Sequence, residues 1–135
     1  MSLEWKEIYS VNIKKIDSQH QNIFDLMNRL QSFEKSQDYK EQVAMILGEI
    51  EDYSIYHFKT EEDFFESTAY PDKDFHIKQH NAYKDKLVEL KTAASERLDV
   101  QMIEDIFNFL KNWWTNHIIK TDMEYSEYFN QHGIF

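Results

Sequence analysis

The sequence predicts an all-α protein, an up-down-up-down four-helix bundle with an N-terminal arm. Three observations lead there. Only two glycines and one proline occur in 135 residues, too little turn chemistry to connect strands. Apolar residues recur at three- and four-residue steps along most of the chain, the signature of amphipathic helices. The breaks between these stretches are short, which sets successive helices antiparallel.

Residues 1–16 are too few for a domain and are expected to lie as an arm over one domain spanning 17–135. The first helix starts near Ser18, where S-Q-H-Q fits the capping box with Gln21 at the third position. It runs to about Glu34, with His20, Phe24, Met27 and Leu30 on one stripe. The second opens after Asp38 and runs to about Ser67, striped by Val43, Ile46, Ile50, Tyr53, His57, Glu61 and Phe64. Pro71 disfavours helical geometry at Tyr70 and ends it. Asp72 is the expected cap of the third helix, striped by His76, His80, Tyr83, Leu87, Leu90 and Ala94. Asp99 is the expected cap of the fourth, striped by Ile103, Ile106, Leu110, Trp113 and His117.

Composition removes several function classes. With no cysteine, disulfides, thiolate metal sites and cysteine nucleophiles are excluded. A formal charge of −10 opposes nucleic acid and anionic membranes as partners. No apolar run is long enough to span a bilayer, and the charged first fifteen residues do not resemble a signal peptide. A cytoplasmic location is expected.

Six histidines occur, and His20, His57, His76, His80 and His117 fall in phase with the apolar stripes. One inward imidazole is ordinarily a hydrogen-bonded core residue. Five, spread over four helices and without a comparable set of inward hydroxyls or amides, are a different matter. Their axial positions converge, because His20 lies where helix one enters the bundle and His57 and Glu61 where helix two leaves it. His76 and His80 open helix three, and His117 and Asp122 close helix four. His57–Glu61 and His76–His80 are i,i+4 pairs, about 40° apart around the helix and roughly 6 Å along it. Five imidazoles and two carboxylates in one slab of core make a metal site suited to iron, manganese or zinc. Seven ligands exceed the needs of one ion, and two ions sharing Glu61 and Asp122 would use them well. His117 and Asp122 are five apart, a rotation of about 140° on an α-helix. A carboxylate that reaches sideways to a second metal, with local loosening of the last turns, accommodates that spacing.

The set H…HxxxE…HxxxH…HxxxxD resembles the hemerythrin family over nearly the whole chain. W-x-x-x-Y-S-V…I-D-x-Q-H appears as Trp5 to His20, and H-F-x-x-E-E as His57, Phe58, Glu61 and Glu62, followed by Tyr70 and Pro71. H-x-x-x-H is His76 and His80, and W-x-x-x-H-I-x-x-x-D spans Trp113 to Asp122. The resemblance implies a non-haem di-iron centre, with Fe2+/Fe3+ ions bridged by Glu61, Asp122 and an oxo or hydroxo group. It places His76, His80 and His117 on one iron, and His20 and His57 on the other, which keeps a position open for dioxygen.

The function so implied is reversible dioxygen binding, for storage, delivery or sensing. The alternative is a di-iron enzyme or scavenger acting on nitric oxide or peroxide. An imidazole-rich site, without the Glu-x-x-His motifs of carboxylate-rich di-iron bundles, favours binding over catalysis. Two residues depart from the family pattern. Trp114 stands where leucine commonly packs over the oxygen pocket, and with Ile118 it is a candidate pocket residue. Its indole either narrows that pocket or swings outward between helices. Asn12 stands where glycine is common, which predicts a turn at positive φ. His132, Asp63, Glu62, Glu66 and Glu124 are expected at the surface, and Tyr125 or Tyr128 within reach of an imidazole ligand.

Overall fold

A computed structural model describes residues 2–31 and 39–135. Its elements are a 3-10 turn at Glu7–Tyr9, α1 (Lys14–Gln31), α2 (Tyr39–Thr68), α3 (Lys73–Glu96), α4 (Val100–Asn116), a π-helical turn at His117–Asp122, and α5 (Met123–Gln131). The last three run on without a break and form the fourth rod of an antiparallel four-helix bundle. The described residues include no strand. No helix among them is long and apolar enough to cross a membrane.

Helix α1 begins at Lys14 rather than near Ser18, so S-Q-H-Q is helix interior and caps nothing. The chain is turned into α1 by Asp17, one turn inside the helix. Its carboxylate accepts from the Val11 amide at 2.8 Å and from the Ser10 hydroxyl at 2.6 Å. That fold-back needs a left-handed residue, and Asn12 supplies it at φ 59°, as expected of asparagine. Residues 14–16 therefore belong to α1 and not to the arm. The expected helix boundaries at Glu34 and Asp38 lie outside the described residues.

Helix α2 ends in a Schellman turn. The Tyr70 amide reaches the Phe65 carbonyl at 3.0 Å and the Ala69 amide reaches Glu66 at 3.4 Å, with Ala69 at φ 52°. Pro71 follows, where continuation is impossible. Asp72 takes the N-cap place of α3 but its carboxylate makes no cap bond, contrary to expectation. Asp99 does cap α4, accepting from the Met102 amide at 2.8 Å. Gly133, at φ 83°, closes α5 through bonds from its own amide to Asn130 and from Ile134 to Phe129.

The arm is tied to the bundle at both ends. Both backbone polar groups of Leu3 pair with the Asn28 side chain, at 2.7 and 2.8 Å. Trp5 packs against Tyr9 and Phe24. The Ser126 hydroxyl donates to the Val11 carbonyl at 2.6 Å, which holds α5 against the entrance to α1.

The core stripe of the fourth rod differs from expectation in one respect. The sequence stripe selects Trp113, yet Trp114 is the fully buried tryptophan, and Trp113 is only partly buried. Both tryptophans lie within the α-helical part of the rod, and the four-residue step Ile106, Leu110, Trp114 marks the fully buried line, with Trp113 on its edge.

Candidate metal centre

Four helical segments bring seven chelating side chains to one end of the core. Helix α1 contributes His20, α2 His57 and Glu61, α3 His76 and His80, and the π turn His117 and Asp122. None is more than 4% exposed. Their ligand atoms divide into two sets, each within 4.8 Å throughout. One is Glu61, His76, His80, His117 and Asp122, and the other is His20, His57, Glu61 and Asp122. Glu61 and Asp122 belong to both.

The π turn resolves the five-residue spacing in the fourth rod. Hydrogen bonding from i to i+5 widens the turn, so residues five apart stack instead of diverging by 140°. The result is a contact of 3.0 Å between His117 Nε2 and Asp122 Oδ1. Asp122 also lies 2.9 Å from His76 Nε2 and 3.1 Å from His20 Nε2. Glu61 Oε1 stands 3.2 Å from His57 Nε2 and 3.1 Å from His80 Nε2.

Hydrogen bonds on the far side of the rings decide what these contacts are. His57 Nδ1 meets Gln19 Oε1 at 2.7 Å, and His117 Nδ1 meets Gln79 Oε1 at 2.9 Å. An amide oxygen only accepts, so both Nδ1 atoms carry the proton. The amides are oriented in turn by Thr60, which accepts from Gln19 Nε2 at 3.1 Å, and Thr121, which donates to Gln79 Oε1 at 2.9 Å. His80 Nδ1 donates to Glu62 Oε2 at 2.9 Å. In neutral His57, His80 and His117, then, the Nε2 lone pairs point at carboxylate oxygens, and His57 and His117 also face the Nε2 atoms of His20 and His76 at 3.0 and 3.1 Å. Lone pairs facing anions in a buried site need cations or added protons between them.

The electrostatics of the metal-free chain say the same. Burial pushes both carboxyls up, but the imidazoles outweigh it. His57 and His80 hold Glu61 below the usual carboxylate range, and His117, His20 and His76 hold Asp122 well below it. Burial pushes His80 down, yet the adjacent Glu61 carboxylate and the bond to Glu62 raise it to about 9. Burial and the neighbouring His57 lower His20. Among the described residues, Glu61 Oε1, both oxygens of Asp122 and Nε2 of His80 are buried without a hydrogen-bond partner. The donor set thus fits a pair of divalent or trivalent ions.

Several expectations need correction. The imidazoles do have amide partners, Gln19 and Gln79, although these occupy only the outward nitrogens. Glu62, expected as solvated charge, orients His80. Both glutamines immediately precede a histidine, but each serves a histidine of another helix, so stripe counting passes them over. Tyr125 donates to Glu61 Oε2 and stacks on His76 with ring centres 5.6 Å apart. Burial and the two carboxylates push its phenol well above the usual tyrosine range, which keeps the proton in place. Tyr128 bonds the carbonyls of Thr68 and Ala69 instead.

Trp114 points inward. It is fully buried, its Nε1 donates to the Tyr83 hydroxyl at 3.2 Å, and its ring stacks on Phe58. The indole centre lies 5.7 Å from that of His57 and 6.2 Å from that of His20. Ile118 is fully buried as well.

Residues 11–129 match the Hemerythrin HHE cation binding domain family. The chain belongs to the hemerythrin family. It is 30% identical to a bacteriohemerythrin of Stenotrophomonas maltophilia, over 96% of this chain and 83% of that one. It is 26% identical to a bacteriohemerythrin of Clostridium acetobutylicum, over 90% and 96%. A crystal structure of wild-type hemerythrin superposes with a TM-score of 0.82 at 26% identity, covering 93% of this chain and 95% of that one. Hemerythrins hold a non-haem di-iron centre, and the buried seven-residue cluster of this family member is a set of the right chemistry to do so.

Proposed function

We propose that the chain binds dioxygen reversibly in the cytoplasm at two iron ions, as an oxygen store or delivery protein. The observation that carries this reading is the pair of ligand sets joined through Glu61 and Asp122, with Nε2 lone pairs preset by Gln19, Glu62 and Gln79. In it His76, His80 and His117 would hold one iron and His20 and His57 the other, with Glu61 and Asp122, common to both donor sets, and an oxo or hydroxo group as the shared ligands. The iron pair, when bound, supplies electrons to dioxygen and recovers them on release.

The protein's own contribution is positioning and exclusion. Three imidazoles are held in the Nδ1-protonated tautomer, which keeps Nε2 free to ligate and raises its basicity. Tyr125 fixes Glu61 by donating to its second oxygen. Trp114, beside His57 and His20, would wall the two-histidine end with apolar surface and keep water and stray protons from the ligand position, and the buried Ile118 next to His117 is the second candidate for that wall. Five neutral imidazoles bring less negative charge to iron than a carboxylate-rich set, which favours reversible binding over oxidation of a substrate.

The test is direct. Iron is quantified, the protein is reduced anaerobically, and oxygen is admitted while the visible spectrum is recorded. Two irons per chain and a charge-transfer band that vanishes on deoxygenation support the reading. Rapid turnover of nitric oxide or peroxide without a reversible band would replace it with a di-iron enzyme or scavenger.

A further inference from the structure

The two ends of the ligand cluster meet the outside differently, and one of them opens on a groove. Between α3 and α4 lies an open depression of about 450 Å³, within the range of small-molecule sites. Its walls include Phe109, Asn112, Trp113, Asn116 and Lys120, and it reaches His117 itself. Trp113 joins the two levels. Its ring lines the groove and stacks face to face on the His117 imidazole, centres 4.3 Å apart and planes 13° apart. A π-system in the groove would thus sit one ring away from a ligand of the three-histidine set.

We propose that this groove docks a planar, anionic electron donor of the reduced flavin mononucleotide type and passes its electrons through Trp113 and His117. The inference rests on the iron reading above. Phe109 and Trp113 offer aromatic surface for stacking. The amides of Asn112 and Asn116 match the alternating N–H and carbonyl edge of a flavin ring. Lys120 is the one lysine among the described lining residues. In a chain of net charge −10 it marks where a phosphate is tolerated. One flavin hydroquinone gives up two electrons, one to each ferric ion, and its ring protons go to solvent. The pair returns to the ferrous state from which oxygen is bound. Electrons then enter at the three-histidine end through Trp113, which packs edge-on against Trp114 with ring centres 5.1 Å apart, so the apolar wall stays in place and reduction need not admit water to the ligand position.

Iron-loaded protein is titrated with flavin mononucleotide, following flavin fluorescence. Anaerobic reduction of the ferric protein by reduced flavin mononucleotide is timed in parallel. Saturable quenching is expected, and Lys120→Glu should weaken it about five-fold, the scale of one lost charge contact. Asn116→Trp, which fills the groove, should weaken it at least as much, and both should slow reduction in step. Lys15→Glu, an equal charge change on the exposed face of α1, should leave both unchanged. Absence of saturable quenching, or equal effects of Lys120→Glu and Lys15→Glu, overturns the docking site. Normal binding with a reduction rate indifferent to the groove variants overturns the electron route. Flavin inertness together with Lys120-dependent reduction by a small iron–sulfur protein overturns the choice of occupant. Iron content measured on the same samples separates these results from failure of the iron reading, since flavin quenching without bound iron removes the electron role alone.

Discussion

The three-histidine and two-histidine halves of the cluster share two carboxylates and the ring of Phe58, and differ in their access to solvent. Around His76, His80 and His117 three polar side chains, Glu62, Gln79 and Thr121, and a groove open to solvent stand beside an aromatic lining of Phe58, Phe65, Tyr125 and Trp113. Around His20 and His57 there is one amide, Gln19, and an aromatic wall of Trp114 and Phe58. A half with three imidazoles tolerates solvent nearby because protein donors dominate its coordination. A half with two depends on exclusion of water, since any position the protein does not fill is open to whatever arrives. The asymmetry divides the labour of the site: holding metal on one side, admitting a small ligand on the other.

Removing His76 and His80 together should do the most damage to that division. His76→Ala with His80→Ala is expected to abolish iron binding at both positions, because Glu61 and Asp122 lose the cation that neutralises them. Metal analysis after gel filtration checks this, and retention of two irons would refute the ligand assignment.

The outer hydrogen bonds offer a finer comparison. Gln19→Leu should weaken metal binding at the two-histidine half by about 10- to 100-fold, giving protein with near one iron per chain. Gln79→Leu strikes a half with two further imidazoles and should cost less. Iron titration of the two variants against each other decides it, and the opposite order would place the weaker half on the wrong side.

Trp114→Leu should make the two halves more alike by loosening the apolar wall. Autoxidation is expected to quicken, read as loss of the oxygen-dependent band. Stability should fall by about 2 kcal/mol from the cavity and the lost bond to Tyr83, measurable by urea unfolding. Unchanged autoxidation would leave Trp114 a packing residue only.

The smallest expected effect is on pH dependence. His80 in the metal-free chain is raised from 6.5 to about 9. Its raised affinity for the proton stabilises that form fully below pH 6.5 and fades as pH climbs through about 9. Iron holds the ring neutral and has no such term. The gap in unfolding free energy between iron-loaded and metal-free protein should therefore widen between pH 6.5 and 9, by an amount on the order of 1 kcal/mol after allowance for shared charges, as read from denaturant unfolding. A gap that narrows would show that protonation of His80 does not compete with metal.

The fold was readable because helix period and scarce turn residues are local properties. His57 and Glu61, or His76 and His80, sit four apart on one face whatever surrounds them. The helix ends were less so. The capping-box pattern at Ser18 is satisfied on paper, yet the fold-back of Val11 onto Asp17 starts the helix four residues earlier. The fold-back has Asn12 in the left-handed region, as the sequence predicts, and Val11 is also tied to Ser126, a partner 115 residues away that no local pattern reveals.

The sequence by itself determined the bundle, the end of it where imidazoles and carboxylates gather, and the need for more than one cation. Tertiary structure alone decided which nitrogen of each ring faces inward, that Glu62 serves His80 rather than solvent, and that Trp114 rather than Trp113 fills the core. The reason is the same in each case. Periodicity states which face of a helix is buried, whereas proton placement and ring orientation depend on partners from other helices, such as Gln19 and Gln79, that no spacing rule can bring together. The five-residue step from His117 to Asp122 lies between the two. Its strangeness was visible in the sequence, and the π turn that makes both residues face the cluster became visible only once the fourth rod was folded.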